Sequence, residues 1–371
     1  MKKIKFAVSL IVICCFLLSA CGGGDESRDV LSIWCLSSDP LAVPASEFIE
    51  EYNSNLEKGL LPAELRLFSS ENAMAEAFDS LRPDILICSE TRFEALAAEG
   101  ILRDAGSLMW DDHPEYPEYL SKRVPSAGST FLPIGGSVQL ICCDEKEVGA
   151  GNLETLSSLL EKAENYGAEK HLPFMTVDSF SAFFYQSMLS AGKEFHGEKL
   201  RDMKNDEYAE IYNLLAQAVY SGGLVCAENG GWELTAGGYL PCAAVESSSL
   251  SGRDTGTLKL CPMPGLGASS SMLSSLSGIC VTAREGRAPD SAAAFLKALF
   301  SGCNAASMAL SAGLVPLTPL PPEDSENSLS SLLRELSGSC ELHLPESGSD
   351  YLENRGQFEH DFRTAMRFVR G

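Results

Sequence analysis

An α/β protein built on mainly parallel sheets is the fold class this sequence predicts, and three observations predict it. From residue 30 to residue 100, short apolar runs alternate with helical periodicity, strand then helix three times over. The chain has 371 residues, too many for one compact core and enough for two lobes. Hydrophobic residues make up 45% and charged residues 21%, the balance of a folded globular chain.

Taken in order, residues 30–36 read as a buried strand, followed by the polar loop Ser37-Ser38-Asp39-Pro40. Helical periodicity covers 42–52, where Phe48 and Ile49 are set against Glu47, Glu50 and Glu51. A strand is expected at 65–68, a helix at 73–81, and a strand at 85–88 after Pro83-Asp84. A helix over 92–99 stops at Gly100. Proline and tyrosine mark 111–125 as surface loop or short helix, and Phe131-Leu132-Pro133-Ile134-Gly135-Gly136 leads into a strand at 138–143. Helices follow over 153–166, 179–191 and 206–221, then a strand at 239–245. A proline-broken extended piece at 258–264 suits a crossover between lobes, and a strand at 279–283 comes next. Helices over 289–300 and 304–312, helical leucines at 323–338 and an amphipathic stretch at 358–369 close the chain. There is no internal repeat or heptad run.

The leader has its own chemistry. Met1-Lys2-Lys3-Ile4-Lys5 is a short basic head, and residues 6–18 are an apolar run too short for an ordinary transmembrane helix. Leu17-Leu18-Ser19-Ala20-Cys21 follows, with Gly22-Gly23-Gly24 behind it. This resembles the lipobox of bacterial lipoproteins, where the leader is cut before the cysteine and the cysteine carries the lipid. The resemblance implies a signal peptide at 1–20, a lipid anchor at Cys21, a tether over 21–29 and an extracytoplasmic protein held at the cell membrane.

Charge and cysteines narrow the function classes. A formal charge of −23 includes the three leader lysines, so the mature chain is more acidic still. Nucleic-acid binding demands a basic face, so this charge argues against it. Of the 13 cysteines, Cys14, Cys15 and Cys21 lie in the leader and anchor. The others are Cys35, Cys88, Cys142, Cys143, Cys226, Cys242, Cys261, Cys280, Cys303 and Cys340. Export invites a disulfide reading. Ile85-Leu86-Ile87-Cys88, Leu140-Ile141-Cys142-Cys143 and Gly278-Ile279-Cys280-Val281 instead set cysteine among strand hydrophobes, where it acts as a small apolar residue. Mostly free thiols are expected, with room for one or two bridges. No Cys/His set has zinc spacing, so no metal site is expected. No G-x-S-x-G, H-E-x-x-H or P-loop is present, and Gly265-Leu266-Gly267 lacks the third glycine of a dinucleotide site. Neither enzyme activity nor a cofactor is expected.

The order of elements and several local phrases resemble one family. Ser277-Gly278-Ile279-Cys280-Val281-Thr282 with Ala288-Pro289-Asp290 and the helix through Phe295-Leu296-Lys297-Ala298-Leu299 is the best-matching segment. Ser311-Ala312-Gly313-Leu314-Val315-Pro316, Pro83-Asp84-Ile85 with Glu99-Gly100-Ile101-Leu102, and Leu132-Pro133-Ile134-Gly135-Gly136 add to it. Together they resemble the extracellular solute-binding proteins of ABC importers, in the carbohydrate-type group called family 1. The chain departs from that group at Cys143-Asp144, at Thr155-Leu156 and over 237–243.

That resemblance implies a two-lobed periplasmic-binding-protein-like fold of type II, each lobe a mainly parallel sheet flanked by helices, with hinge crossovers. Lobe 1 would be 30–133 with 265–315, and lobe 2 would be 134–264 with 316–371. It implies closure of the lobes on a small solute, a sugar or oligosaccharide first, and delivery by a monomer to an ABC permease. An accessory or sensory surface lipoprotein of the same fold is the alternative.

Ligands of open α/β sheets sit beyond the carboxyl ends of strands, and that rule nominates the binding residues. After the first strand come Trp34, Ser37 and Asp39, with Trp34 either a stacking platform for a sugar or a core residue. After the strand at 85–88 come Ser89 and Glu90, then Thr91 and Arg92, with Glu90 also suited to the first turn of the next helix. Asp178 and Phe180 stand at the mouth of a helix, where Asp178 is also a candidate N-cap. Glu246 and Ser247 follow the strand at 239–245, and Trp232 lies in a glycine-rich loop where exposure would favour binding. Ser275 and Ser277 are expected to form a polar loop before Gly278.

Overall fold

Runs of apolar residues buried on both faces make the parallel strands, and amphipathic helices cover them. The structure, a computed structural model, describes residues 30–105, 108, 130–178, 180, 183–184, 187, 206–227, 230–265, 273–282, 289–320, 322, 328–339 and 364. Strand β1 (Leu31–Leu36), helix α1 (Ala42–Ser54), β2 (Ala63–Phe68), α2 (Glu71–Ser80), β3 (Ile85–Ser89) and α3 (Glu90–Ala98) appear in the expected order. Next come β4 (Leu102–Arg103), β5 (Phe131–Cys143), α4 (Glu145–Val148), α5 (Leu156–Lys170), β6 (Met175–Val177) and α6 (Asp206–Tyr220). Then follow β7 (Leu224–Cys226), α7 (Gly231–Ala236), β8 (Cys242–Glu246), β9 (Lys259–Pro262) and β10 (Leu273–Thr282). Helices α8 (Pro289–Phe300) and α9 (Asn304–Ser311), strand β11 (Val315–Pro316) and α10 (Ser328–Ser339) complete the described chain.

The strands run side by side as β2-β1-β3-β10-β5-β8-β6-β7, with β4 on β10 and both β9 and β11 on β5. β1 is parallel to β2 and β3, and β6 is parallel to β7 and β8. Between these two parallel sets stand β10 and β5, each antiparallel to its neighbours. β5 is the joint. Its first part, to Val138, pairs with β10, and its second part, from Gln139, pairs with β8 and β9.

Two hydrophobic cores are built on these strands. One packs β1, β3, β10, α1, α8, α9 and α10 around Trp34, Phe295 and Leu314, and the other packs β6, α5 and α6 around Phe174, Phe183 and Ile211. The neighbouring residues Cys142 and Cys143 point into different cores, because successive strand side chains alternate faces.

Four expected elements move, one of them the strand expected at 279–283, which begins at Leu273 and takes in Ser275 and Ser277. The strand expected at 138–143 begins at Phe131. Pro133 is tolerated inside it because the register shifts where it meets Gly278, a position that does not need its missing N–H. The strand expected at 239–245 begins at Cys242, because Tyr239 is 78% exposed and its N–H closes helix α7 on Leu234 O at 2.9 Å. The helix expected at 323–338 runs from Ser328 to Ser339. The leader with Cys21, most of the helix expected at 179–191 and the stretch at 358–369 lie outside the described residues. The described cysteines, from Cys35 to Cys303, are all free, and Cys340 lies outside them.

Candidate functional site

The register locates the site. Ser89 at the end of β3 is level with Ser277 in β10, which is level with Gly135 in β5. Glu246 at the end of β8 is level with Gln139 in β5. β3 runs in the same direction as β5, and β8 and β6 run against it. The carboxyl ends of the two parallel sets therefore approach the joint from opposite sides. Four residues of β5 separate the two levels, about 13 Å at the usual strand rise. That is room for a small solute between two sheet ends.

On the first side, Ser37 extends β1 to the level of Ser89 and is exposed. Asp39 folds back over the strand end: its Oδ1 accepts from Leu41 N–H at 2.9 Å, and its charge bears on the thiols of Cys35 in β1 and Cys88 in β3. Burial pushes the Asp39 carboxyl up to about 6, partly offset by that Leu41 N–H. Ser89 occupies the N-cap position of α3 without a side-chain capping bond, and Glu90 is the acidic residue of its first turn. Both are half-buried. Ser275 is exposed on β10, level with Ser137.

On the second side, Asp178 follows β6 directly and Glu246 ends β8. Burial first, then the nearby Glu246 and Glu233 carboxylates, push Asp178 up to about 6, while the Gly231 N–H and Arg253 act the other way. Asp178 Oδ1 is buried without a hydrogen-bond partner. Arg253 is paired with Glu233, which lowers the Glu233 carboxyl. At the joint itself Ser137 Oγ meets Ser248 Oγ at 3.1 Å and Ser247 Oγ at 3.4 Å.

Five nominated residues lack the exposure a direct ligand contact needs. Trp34 is 0% exposed, its ring 4.7 Å from Phe68 and 5.8 Å from Phe78, with Nε1 donating to Ser32 Oγ at 3.1 Å. A core tryptophan offers no face to a sugar. Trp232, for which exposure in a glycine-rich loop would favour binding, is instead 8% exposed in helix α7 and belongs to the first core. Phe180, also 8% exposed, belongs to the second core. Ser247 is fully buried and its Oγ accepts from Val138 N–H at 3.1 Å, a bond that fastens the end of β8 to β5. Ser277 is buried inside the ladder between β3 and β5.

The structure thus brings together Ser37, Asp39, Ser89, Glu90 and Ser275 on one side, and Asp178 and Glu246 on the other. Among the described residues, no group of three His, Cys, Asp or Glu is placed to hold a metal ion.

The fold is the two-lobed one of periplasmic substrate-binding proteins. Solved structures similar along nearly the whole chain include UgpB from Mycobacterium tuberculosis in complex with glycerophosphocholine. It has 15% identity and a TM-score of 0.68, covering 94% of this chain and 98% of that one. The cyclic α-maltosyl-1,6-maltose binding protein of Arthrobacter globiformis has 14% identity and a TM-score of 0.66, covering 92% and 95%. The spermidine/putrescine ABC transporter substrate-binding protein PotD of Streptococcus pneumoniae has 16% identity and a TM-score of 0.63, covering 92% and 99%. No protein-family model matches the chain. No curated protein matches it in sequence.

Proposed function

We propose that this protein is a solute-binding receptor of an ABC importer, anchored to the cell membrane by lipid at Cys21. One observation carries the reading: two sets of parallel strands end on opposite sides of the joint in β5, with polar side chains at both ends. The lobes are 30–133 with 265–315 and 134–264 with 316–371, and the pairing partners of β5 change at Val138 and Gln139. Contacts from one solute to both strand ends stabilise the closed arrangement, so binding and closure are one equilibrium. The protein acts as a monomer, presents the solute to its permease and carries out no chemistry on it.

The similar structures include sugar binders, which supports a carbohydrate. The sealing of Trp34, Phe180 and Trp232 takes away the aromatic faces nominated for stacking, so hydroxyl recognition would fall to Ser37, Asp39, Ser89, Glu90, Asp178 and Glu246.

Thermal denaturation of the detergent-solubilised chain against sugars, amino acids, polyamines and phosphodiesters tests the receptor. A solute at 100-fold excess over its Kd adds about 2.7 kcal/mol of stability and raises the Tm. Small-angle scattering then shows a smaller radius with that solute. A chain that answers to no class at millimolar concentration is not an import receptor. Cys21→Ser tests the anchor separately, by moving the protein from the membrane fraction to the medium.

A further inference from the structure

Among the described residues, the buried side-chain atoms without a hydrogen-bond partner include two from charged groups, Arg92 Nε and Asp178 Oδ1. They belong to opposite sides of the joint. Arg92 lies in the first turn of α3, the helix that starts where β3 ends, and Asp178 follows the last residue of β6. The cation that bears on Asp178, Arg253, is engaged by Glu233. Glu246 and Glu233 add like charge around Asp178. Arg92 is half-buried with its Nε shut away from water, and a guanidinium does not shed its proton, so that N–H calls for an anionic acceptor. A carboxylate in a desolvated setting with acidic neighbours calls for a cation.

We propose that the solute is a zwitterion, its anionic end, a carboxylate or a phosphodiester, held by Arg92 and its ammonium held by Asp178. This rests on the receptor reading and puts a charged solute in place of the carbohydrate. The planar guanidinium fork matches both anions, each offering two oxygens in one plane with the donors. Each lobe then supplies one charge, and only a molecule carrying both partners satisfies the two sides at once. A neutral sugar leaves both atoms unpaired. A diamine satisfies Asp178 and repels Arg92.

Calorimetric titration of the whole chain in detergent tests this with matched probes. δ-Aminovalerate is compared with valerate and pentylamine, glycerophosphocholine with glycerol phosphate and choline, and maltose serves as the neutral probe. The expected result is that one zwitterion binds at least about tenfold tighter than both of its single-charge relatives. Which series responds tells carboxylate from phosphodiester. Arg92→Gln and Asp178→Asn each weaken that zwitterion by about tenfold or more, and Arg92→Lys recovers part of the loss. The probe series on the unaltered chain decides the matter even where a variant fails to fold. Maltose binding that both variants leave intact overturns the zwitterion and keeps the receptor. A single-charge probe that binds as tightly as its zwitterion also overturns it. No binding by any sugar, amine, anion or zwitterion overturns both.

Discussion

Trp34 shows how a single residue can have two chemical futures that only its neighbours decide. Its strand and its position before a polar loop are equally those of a platform and of a core residue. The structure closes it in with Phe68, Phe78 and the Arg66 guanidinium, 5.3 Å from the ring centroid. Trp34→Phe is therefore expected to cost about 1–3 kcal/mol in a urea melt and to leave solute Kd unchanged. Asp39 makes a second prediction. Its carboxyl is raised from 3.8 to about 6 in the folded chain, so folding favours the protonated form. The stability it contributes is complete below about pH 4 and is lost as pH climbs through 6, by up to about 3 kcal/mol. Asp39→Asn should flatten that part of the Tm-against-pH curve. An unchanged slope would place the raised carboxyl elsewhere. Asp84, just before β3, accepts Ser32 N–H at Oδ2 at 2.8 Å and ties β3 to β1.

At the scale of elements, periodicity carried most of the reading. The helix at 289–300 was legible to the residue because its apolar stripe is strong and its proline opens it. Thr155 caps α5 by accepting Ser158 N–H at 3.1 Å. Thr155→Ala should cost about 1 kcal/mol. Short pieces such as β7 and α7 escaped, because three or six residues hold no period. Two glycines mark close approaches that no pattern announces. A methyl on Gly223 would stand 1.7 Å from Ala163 O, so this glycine lets α5 pack against the entry to β7. Gly223→Ala is expected to abolish soluble expression or cost more than about 4 kcal/mol. A methyl on Gly278 would meet Leu132 O at 2.5 Å, within the β10–β5 ladder at its register shift.

Over the whole molecule, the thiols report the packing. Burial raises Cys35 and Cys242 well above an ordinary thiol, the hydrogen bond with Cys280 and then burial do the same for Cys88, and burial pushes Cys142 and Cys143 up to about 12. Cys88 and Cys280 touch, sulfur to sulfur, at 3.7 Å, and both are free. A thiol reagent at pH 8 should leave these buried cysteines unmodified in the native chain and titrate them in denaturant. Fast native labelling of Cys88 or Cys142 would mean that a core opens readily.

The sequence by itself determined the α/β class, the order of strands and helices, the apolar setting of the cysteines and the strand ends that are candidates for a ligand. Those features are local: a period of two or 3.6 residues, a cap, a proline, a run of β-formers. Only the tertiary structure decided that β5 is shared by two sheets and that two sets of strand ends meet across it. It also decided that Trp34, Phe180 and Trp232 are walled in, while Arg92 Nε and Asp178 Oδ1 are buried without partners. Exposure and pairing depend on residues far away in the chain, as when Ser89 meets Ser277 across β3 and β10. No local pattern carries that information, because it exists only once the sheets have assembled.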